Sequence, residues 1–470
     1  MLENSEDFFE DMEMDSSVNR YESMTKKGEF AYFDVDEIEE IVNFYVENNR
    51  LDKAGEACSS GLLIHPASSE LKLKSAQIYI SRGKWKDALL WLDKCKELSR
   101  WNYEYLLTEG VTVAMSGNIE KATKIFNKAL VLIPENEIDE AIFTIADTFE
   151  NNGGNINTAI YFLQKGLDKK PDNKDFYFRL AINYERIGDY KKSLSYYHKY
   201  LDFDAFSASG WFNLGLAYNR AEQYEKAVEA YDYVLALENN HYDALFNKAN
   251  ALANAEKYHE AIKIYREYLD IFDDSLIAQY YIGECHFQIK EFNKALEIFD
   301  EILKKDDAFT EAIYGKAMVL GEQNRYFEAV ELYRKALNID SEDPDIWFSL
   351  GSLHFKNSNY TAAAETLKEV VALNNYDIEA WLLYAETTDK LNNIDESISI
   401  LLQAVDFMPT NIEIIYALSA FYFKLGDTTT AMHWFKTGYT VDKKASKLVF
   451  KIYPEVENIK ELQEFISQNN

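Results

Sequence analysis

Cysteine is scarce in this chain. Only three occur in 470 residues, at Cys58, Cys95 and Cys285, and no two of them form a C-x-x-C pair. An odd number of widely separated thiols argues against a disulfide framework and is typical of a reducing compartment. The acidic start, MLENSEDFFEDMEMD, lacks the basic and apolar regions of a signal peptide, and no apolar run approaches the ~18 residues of a membrane span. The sequence therefore favours a cytoplasmic protein.

Proline and glycine are also few, with six prolines and 18 glycines. Both residue types mark turns and irregular loops, so their scarcity limits how much of the chain such loops can occupy. Aromatic residues, in contrast, make up 15% of the chain and provide ample apolar surface for a core.

Basic residues are outnumbered by acidic ones, 49 to 80, which gives a net charge of −31. Binding to a phosphate backbone or to an anionic membrane requires a basic stripe, and none is visible. Nucleic acid and membranes are therefore disfavoured as partners, whereas a neutral or basic protein is not. The acidity also has a simpler interpretation, because a strong net charge keeps a long molecule soluble.

Motifs for catalysis or metal binding are missing. The chain has neither a G-x-x-x-x-G-K loop nor a G-x-G-x-x-G turn, and the seven histidines are scattered. His259 and Glu260 begin an H-E-x-x-H pattern, but Lys263 stands where the second histidine would be. We expect no catalytic residues, no metal and no cofactor.

One stretch, residues 208–241, has two helical patterns in succession. Trp211, Leu214, Gly215 and Tyr218 fall at i, i+3, i+4 and i+7, which places them on one face of a helix. After a short interruption, the pattern resumes for a second helix, which carries Ala227. Because two helices approach closely where their side chains are small, we expect an antiparallel hairpin with a close contact between Gly215 and Ala227.

This hairpin recurs with a period of 34 residues. The small residue at its eighth position is Ala181 in the copy before and Ala249 in the copy after, and position 20 is Ala or Ser in all twelve copies. The fourth copy starts two residues late, after Pro134, and its inter-helix turn is longer by one residue. The copies start near residues 35, 69, 103, 139, 174, 208, 242, 276, 310, 344, 378 and 412.

The segments WFNLGLAY at 211–218 and IWFSLGSLHF at 346–355, with prolines near the ends of several copies, resemble the tetratricopeptide-repeat pattern. The resemblance covers roughly residues 35–445. It implies an all-α fold, in which antiparallel helical hairpins form a right-handed α-α superhelix.

The two ends differ from the repeats. Residues 1–34 are predicted to be an acidic, flexible leader; alternatively, Phe8, Phe9, Met12 and Met14 form an amphipathic segment that docks on the first repeat or on a partner. Residues 446–470 are predicted to cap the array, with one amphipathic helix running from Val456 to Ile466 after Pro454.

The resemblance also implies where a partner binds. In that family the first helix of each hairpin lines a concave groove that holds a peptide or a partner's helix, and positions 2, 5, 9, 12 and 13 face it. Aromatic residues at positions 5 and 12 suit the apolar anchors of an extended ligand, but they equally suit packing between helices. The candidate groove residues are Phe178, Arg186, Phe212, Arg220, Phe246, Asn250, Tyr280, Phe287, Tyr314, Phe348, Phe355, Lys356, Tyr416 and Phe423.

One role known in the family is disfavoured. Some relatives bind the C-terminal carboxylate of heat-shock chaperones through a lysine at position 5 and asparagines at positions 9 and 6. Asn250 stands at position 9, and Asn213 and Asn247 stand at position 6, but no copy has a lysine at position 5. The basic residues at position 13, such as Arg186, either bind acidic groups of a partner or interact with the C-terminal dipole of their helices.

These observations together predict a non-enzymatic scaffold or adaptor that binds proteins or peptides. The alternative is a regulatory or substrate-recruiting subunit of an enzyme complex whose catalytic chain is separate. The partner segment would be extended or helical. The sequence identifies neither the partner nor the oligomeric state, although a monomer is favoured.

Overall fold

The computed structural model describes residues 16–27, 32–151 and 155–469. Within these residues the chain forms α-helices, three short 3-10 helices and no β-strand. The predicted all-α class of antiparallel hairpins is confirmed. No described helix is long and apolar enough to cross a membrane. The residues named above that lie outside the described part are Phe8, Phe9, Met12 and Met14.

Twelve consecutive pairs of helices lie between Val35 and Val441, with one described helix before them and two after. The 3-10 helices are Lys96–Arg100, Lys444–Ser446 and Pro454–Asn458. The α-helices are α1 (Ser16–Lys27), α2 (Val35–Glu47), α3 (Leu51–Ile64), α4 (Ser69–Ser81), α5 (Trp85–Asp93), α6 (Tyr103–Met115), α7 (Ile119–Leu132), α8 (Ile138–Asn151), α9 (Ile156–Lys169), α10 (Lys174–Arg186), α11 (Tyr190–Phe203), α12 (Ala208–Arg220), α13 (Tyr224–Leu237), α14 (Tyr242–Asn254), α15 (Tyr258–Leu269), α16 (Leu276–Gln288), α17 (Phe292–Lys305), α18 (Thr310–Glu322), α19 (Tyr326–Ile339), α20 (Pro344–Lys356), α21 (Tyr360–Leu373), α22 (Ile378–Lys390), α23 (Ile394–Phe407), α24 (Ile412–Leu425), α25 (Thr428–Val441), α26 (Lys447–Ile452) and α27 (Lys460–Asn469).

The first helix of a repeat usually begins after a residue whose side chain caps it. Asp34 accepts a hydrogen bond from the backbone N–H of Glu37, and the Glu37 side chain accepts one from the N–H of Asp34, which is a complete capping box. Ser68, Asn102 and Ser207 accept a backbone N–H at the starts of α4, α6 and α12. These caps satisfy N–H groups that have no partner inside the helix.

The turn inside each hairpin has a fixed backbone geometry. Its residue at position 15 has a positive φ angle in all eleven repeats whose turn is described. Four of these residues are glycines, but Glu222, Lys290 and five others are not. Because this left-handed conformation costs an ordinary residue roughly 1–2 kcal/mol, the packing of the two helices, and not the turn residue alone, fixes the geometry.

The two helices of a hairpin pack through a small residue at position 8 and a large one at position 24. A methyl group added to Gly215 would lie 2.6 Å from Cε1 of Tyr231, and one added to Gly283 would lie 2.6 Å from Cε1 of Phe299. The three atoms nearest to the added group at Gly215 all belong to Tyr231, and none to Ala227. The Tyr231 ring is thus the nearest neighbour of Gly215, and the contact between Gly215 and Ala227 stays a prediction. A close-packed interior fills the space over the glycine with a ring.

The chain divides into two compact units, residues 1–239 and 240–470. In the first unit, α1 packs on the first repeat, with Val18 fully buried in one cluster with Phe33 and Tyr45. Glu22 on α1 accepts the Tyr45 hydroxyl at 2.9 Å and pairs with Lys53 at 2.8 Å. Residues 16–27 thus differ from the flexible leader expected there, because their apolar side covers the end of the first repeat.

In the second unit, the C-terminal segment packs on the last repeat. Val449, Val456 and Leu462 are fully buried in one cluster with Phe435. The single amphipathic helix predicted from Val456 onward is wrong, because Val456 lies in a 3-10 helix and α27 begins only at Lys460. Burying three side chains from three successive short helices requires the chain to turn between them.

Candidate functional site

The first helices of the repeats form one side of each unit. In the first unit these are α2, α4, α6, α8, α10 and α12, and in the second unit α14, α16, α18, α20, α22 and α24. Neighbouring first helices contact each other, as α16 and α18 do, and each also packs on the second helix of its own hairpin. We call this side the first-helix face. The predicted groove residues all lie on these helices.

In the first unit, ion pairs join one first helix to the next. Both Glu150 and Glu185, at position 12, have side chains that are only 8% exposed. Arg179 donates from Nε and Nη2 to the two oxygens of Glu150, at 3.0 and 2.8 Å, and Arg186 lies 3.6 Å from the same carboxylate. Arg220 pairs in the same way with Glu185 of the preceding repeat. The two candidate arginines at position 13 therefore have carboxylate partners within the chain.

In the described part of the second unit, such pairs join repeat nine to repeat ten and repeat eleven to repeat twelve. Lys356 Nζ lies 2.9 Å from Glu322, and Lys424 Nζ lies 2.6 Å from Asp389. These side chains at position 13 therefore pair with acidic side chains of the preceding repeat. The sequence had predicted instead that they bind a partner or interact with the dipole of their own helix. That they also meet acidic groups of a ligand stays a prediction.

Most aromatic residues at position 5 pack against a ring at position 24 of the same repeat, whereas the repeat of Phe348 has Leu367 there. The ring centroids of Phe178 and Tyr197 are 5.9 Å apart, and those of Phe246 and Tyr265 are 5.7 Å apart. Such edge-to-face and tilted pairs stabilise the contact between the two helices beyond the area that they bury. Phe178, Phe212, Phe246, Tyr314 and Phe348 nevertheless remain half-buried, so part of each side chain faces solvent.

Three candidates are placed differently. Tyr280, Tyr416 and Phe423 are 9%, 0% and 4% exposed, so these rings belong to the core and not to a surface that is open to a ligand. Tyr416 donates its hydroxyl to the backbone oxygen of Asp442 at 2.9 Å. Position in the repeat alone could not reveal this, because burial depends on the neighbouring helices.

The remaining candidates lie on three first helices of the second unit: Phe287 on α16, Phe355 on α20 and Asn250 on α14. Phe287 and Phe355 are half-buried near the ends of α16 and α20, where Phe287 packs on the Phe292 ring at 5.9 Å. Asn250 accepts a hydrogen bond from the Tyr265 hydroxyl at 2.5 Å, so its amide oxygen is engaged inside its own repeat.

Repeats seven to nine have no acidic residue at position 12, where repeats four, five and eleven have Glu150, Glu185 and Asp389. Glu322, which pairs with Lys356, stands at position 13 of repeat nine. Position 12 is Ala253, Phe287 and Gly321 in these three repeats. The face there contains the half-buried Phe246 and Tyr314 instead, and Tyr281 at position 6 adds a ring that sequence reasoning missed.

Glu284, at position 9 of repeat eight, was not among the predicted groove residues, although position 9 is one of the positions expected to face the groove. Its side chain is half-buried, and no described basic group forms an ion pair with it. Burial raises the pKa of this carboxyl. The acidic residue at position 9 was the signal that could have identified it.

Two family models match parts of the chain. The model described as a tetratricopeptide repeat matches residues 178–240, and the model described as anaphase-promoting complex, cyclosome, subunit 3 matches residues 212–302 and 322–404. No curated protein matches the chain.

Among solved structures, a tetratricopeptide repeat protein from Parabacteroides merdae is similar at 17% identity, with a TM-score of 0.48, over 54% of this chain and 99% of that one. The APC/C hetero-tetramer Cut9-Hcn1 is similar at 14% identity, with a TM-score of 0.40, over 86% of this chain and 92% of that one. Yeast Tom70 is similar at 16% identity, with a TM-score of 0.39, over 85% and 94%.

Proposed function

The chain is a tetratricopeptide-repeat protein, and from this premise we propose that it is a non-enzymatic scaffold or adaptor that holds a segment of a partner protein. The segment lies on the first-helix face of the second unit, along α14, α16, α18 and α20. The observation that carries this proposal is the run of half-buried aromatic side chains there: Phe246, Tyr281, Phe287, Tyr314 and Phe348.

These side chains suit binding because they are already held in place. Phe246 contacts the rings of Tyr265, Tyr268 and Tyr281 at centroid distances of 5.1–5.8 Å, so little side-chain entropy is lost when a ligand covers it. Aromatic residues dominate the binding energy of many interfaces. The net charge of −31 favours a partner segment that is neutral or basic.

Photo-cross-linking tests which side of the hairpin the partner occupies. A benzoylphenylalanine is placed at Gln288, which is exposed on the first helix of repeat eight, or at Glu297, which is exposed on the second helix of the same repeat. We expect cross-links to one defined segment of a partner from Gln288 and none from Glu297. Cross-links from Glu297 alone would mean that the partner binds the other side of the hairpin.

A second candidate function is that of a regulatory or substrate-recruiting subunit of an enzyme complex. It is supported by the match of residues 212–302 and 322–404 to a family model named after a subunit of a multi-protein complex. Native mass measurement of the assembly purified from its own cells separates the two functions. One catalytic chain at fixed stoichiometry favours the subunit, and several substoichiometric partners favour the adaptor.

A further inference from the structure

The surroundings of Glu284 indicate which kind of side chain the partner segment of the proposed function has at this point of the first-helix face. Glu284 lies on α16 one turn from Tyr280, Tyr281 and Phe287, at spacings of i−4, i−3 and i+3 that bring side chains together on one face of a helix. Its carboxylate is thus surrounded on its own helix by aromatic side chains.

Tyr281, the ring beside Glu284, is held rigidly. It stacks on Tyr265 with ring centroids 5.6 Å apart and planes within 7°, and it meets the edge of Phe246 at 5.8 Å. Tyr314, on the next first helix, donates or accepts a hydrogen bond with Ser349 at 2.9 Å and is fixed by it. Burial, and after it the negative charge of Glu284, raises the pKa of the phenols of Tyr280 and Tyr281. This agrees with the helix spacing that places Glu284 on the same face as these two rings.

Among the described residues, no basic side chain forms an ion pair with Glu284. On the following first helix, α18, Lys316 instead pairs with Asp300 at 2.5 Å. The carboxylates at position 12 of repeats four and five, Glu150 and Glu185, each have an arginine partner. A half-buried carboxylate without a partner is costly, and a cation that arrives with a ligand would remove that cost. The faces of tyrosine rings attract the same cations.

We propose that Glu284, with Tyr281 and Tyr314 beside it, is the site for one lysine or arginine side chain of the partner segment. The inference rests on the proposed function, because it places this cation within a segment lying along the first-helix face. The aromatic side chains on either side, Phe246 and Phe348, contact apolar residues of the segment, and Glu284 fixes its register.

The test uses peptides selected by the protein. A display library of random 12-residue peptides is selected on the full chain, and the strongest binders are synthesised and titrated against the wild type, Glu284→Gln and Glu386→Gln. Glu386 is the matched control because it holds position 9 of repeat eleven and is exposed. Each peptide is also made with its arginine replaced by citrulline, or its lysine by norleucine, which removes the charge.

We expect the peptides to share a basic residue at one position. Glu284→Gln should weaken them by about tenfold or more, since hydrogen bonds to charged groups are among the strong ones, whereas Glu386→Gln should have little effect. The uncharged peptides should bind the wild type and Glu284→Gln equally. Circular dichroism checks that both variants are folded.

The outcomes separate the two proposals. Peptides that cross-link from Gln288 but bind Glu284→Gln as tightly as the wild type overturn the cation site and leave the proposed function standing. Peptides that cross-link only from Glu297 contradict both proposals, as does the failure of the selection to yield any binder.

Discussion

The substitution Gly215→Leu tests the packing rule of the hairpin, a small residue at position 8 under a ring at position 24. The first added carbon alone would lie 2.6 Å from Cε1 of Tyr231, well inside the 3.4–4 Å of an ordinary contact. Overpacking of this kind costs about 1–3 kcal/mol. Because the first carbon already lies inside contact distance and leucine adds three more, the upper part of that range applies, about 2–3 kcal/mol. The better helix propensity of leucine returns somewhat under ~1 kcal/mol, so we expect a net loss of about 1–2 kcal/mol.

Hydrogen exchange is the appropriate assay because a repeat array loses stability locally, in the altered repeat and its neighbours. A loss of one or two kcal/mol corresponds to a factor of about 5–30 in the equilibrium between closed and open forms. Amide protection in α12 and α13 should fall by that factor, while protection in α2 and α3, at the start of the same unit, should not change.

Two further variants make the result decisive. Ala236→Leu adds a leucine on the exposed side of α13 and should leave the protection within about 0.5 kcal/mol of the wild type. Gly215→Leu combined with Tyr231→Ala should be less destabilised than the sum of the two single variants, because removing the ring makes room for the leucine. Strictly additive losses, or unchanged protection in Gly215→Leu, would refute the assignment of Tyr231 as the partner of Gly215.

Two other predictions concern charge. Burial raises the folded-state pKa of Glu284 above its usual 4.5, so the ionised residue lowers the stability of the fold as the pH rises through that pKa. In thermal melts, Glu284→Gln should therefore unfold at a higher temperature than the wild type at pH 7 but not at pH 4. Glu386→Gln should unfold at the wild-type temperature at both pH values. Arg220→Gln leaves the nearly buried Glu185 without its cation and should lower the free energy of unfolding in urea by about 1 kcal/mol. Lys356→Gln should lower it by less, because its partner Glu322 is half exposed. Equal losses in the two variants would contradict the dependence on burial.

The helical hairpins could be predicted from the sequence because the signals for them are local. A small residue at position 8, Ala or Ser at position 20 and apolar residues at helical spacing recur every 34 residues, and such periodicity indicates two amphipathic helices. The helices α10, α12 and α14 begin at the residues where the copies at 174, 208 and 242 begin. The fourth first helix begins at Ile138, one residue before Asp139.

The candidate site could be predicted only in outline. The pattern at position 5 predicted a row of aromatic residues on the first helices, but it did not separate the buried Tyr280 and Tyr416 from the half-buried Phe246. Tyr416 is covered by the C-terminal segment, a contact that the spacing within one repeat does not encode. Tyr280 packs on Phe299 and Phe309, two rings of its own repeat.

The sequence by itself determined the repeating unit, since the period and the small residues act within a single hairpin of 34 residues. Only the tertiary structure decided which charges pair between first helices, because these pairs join two repeats. Arg220 finds Glu185 35 residues earlier, and Lys424 finds Asp389 at the same separation. Among the described residues no ion pair forms with Glu284, and Lys316 on the following first helix binds Asp300. The sequence determines how many acidic side chains the chain has, whereas the stacking of repeats fixes which of them form ion pairs between first helices.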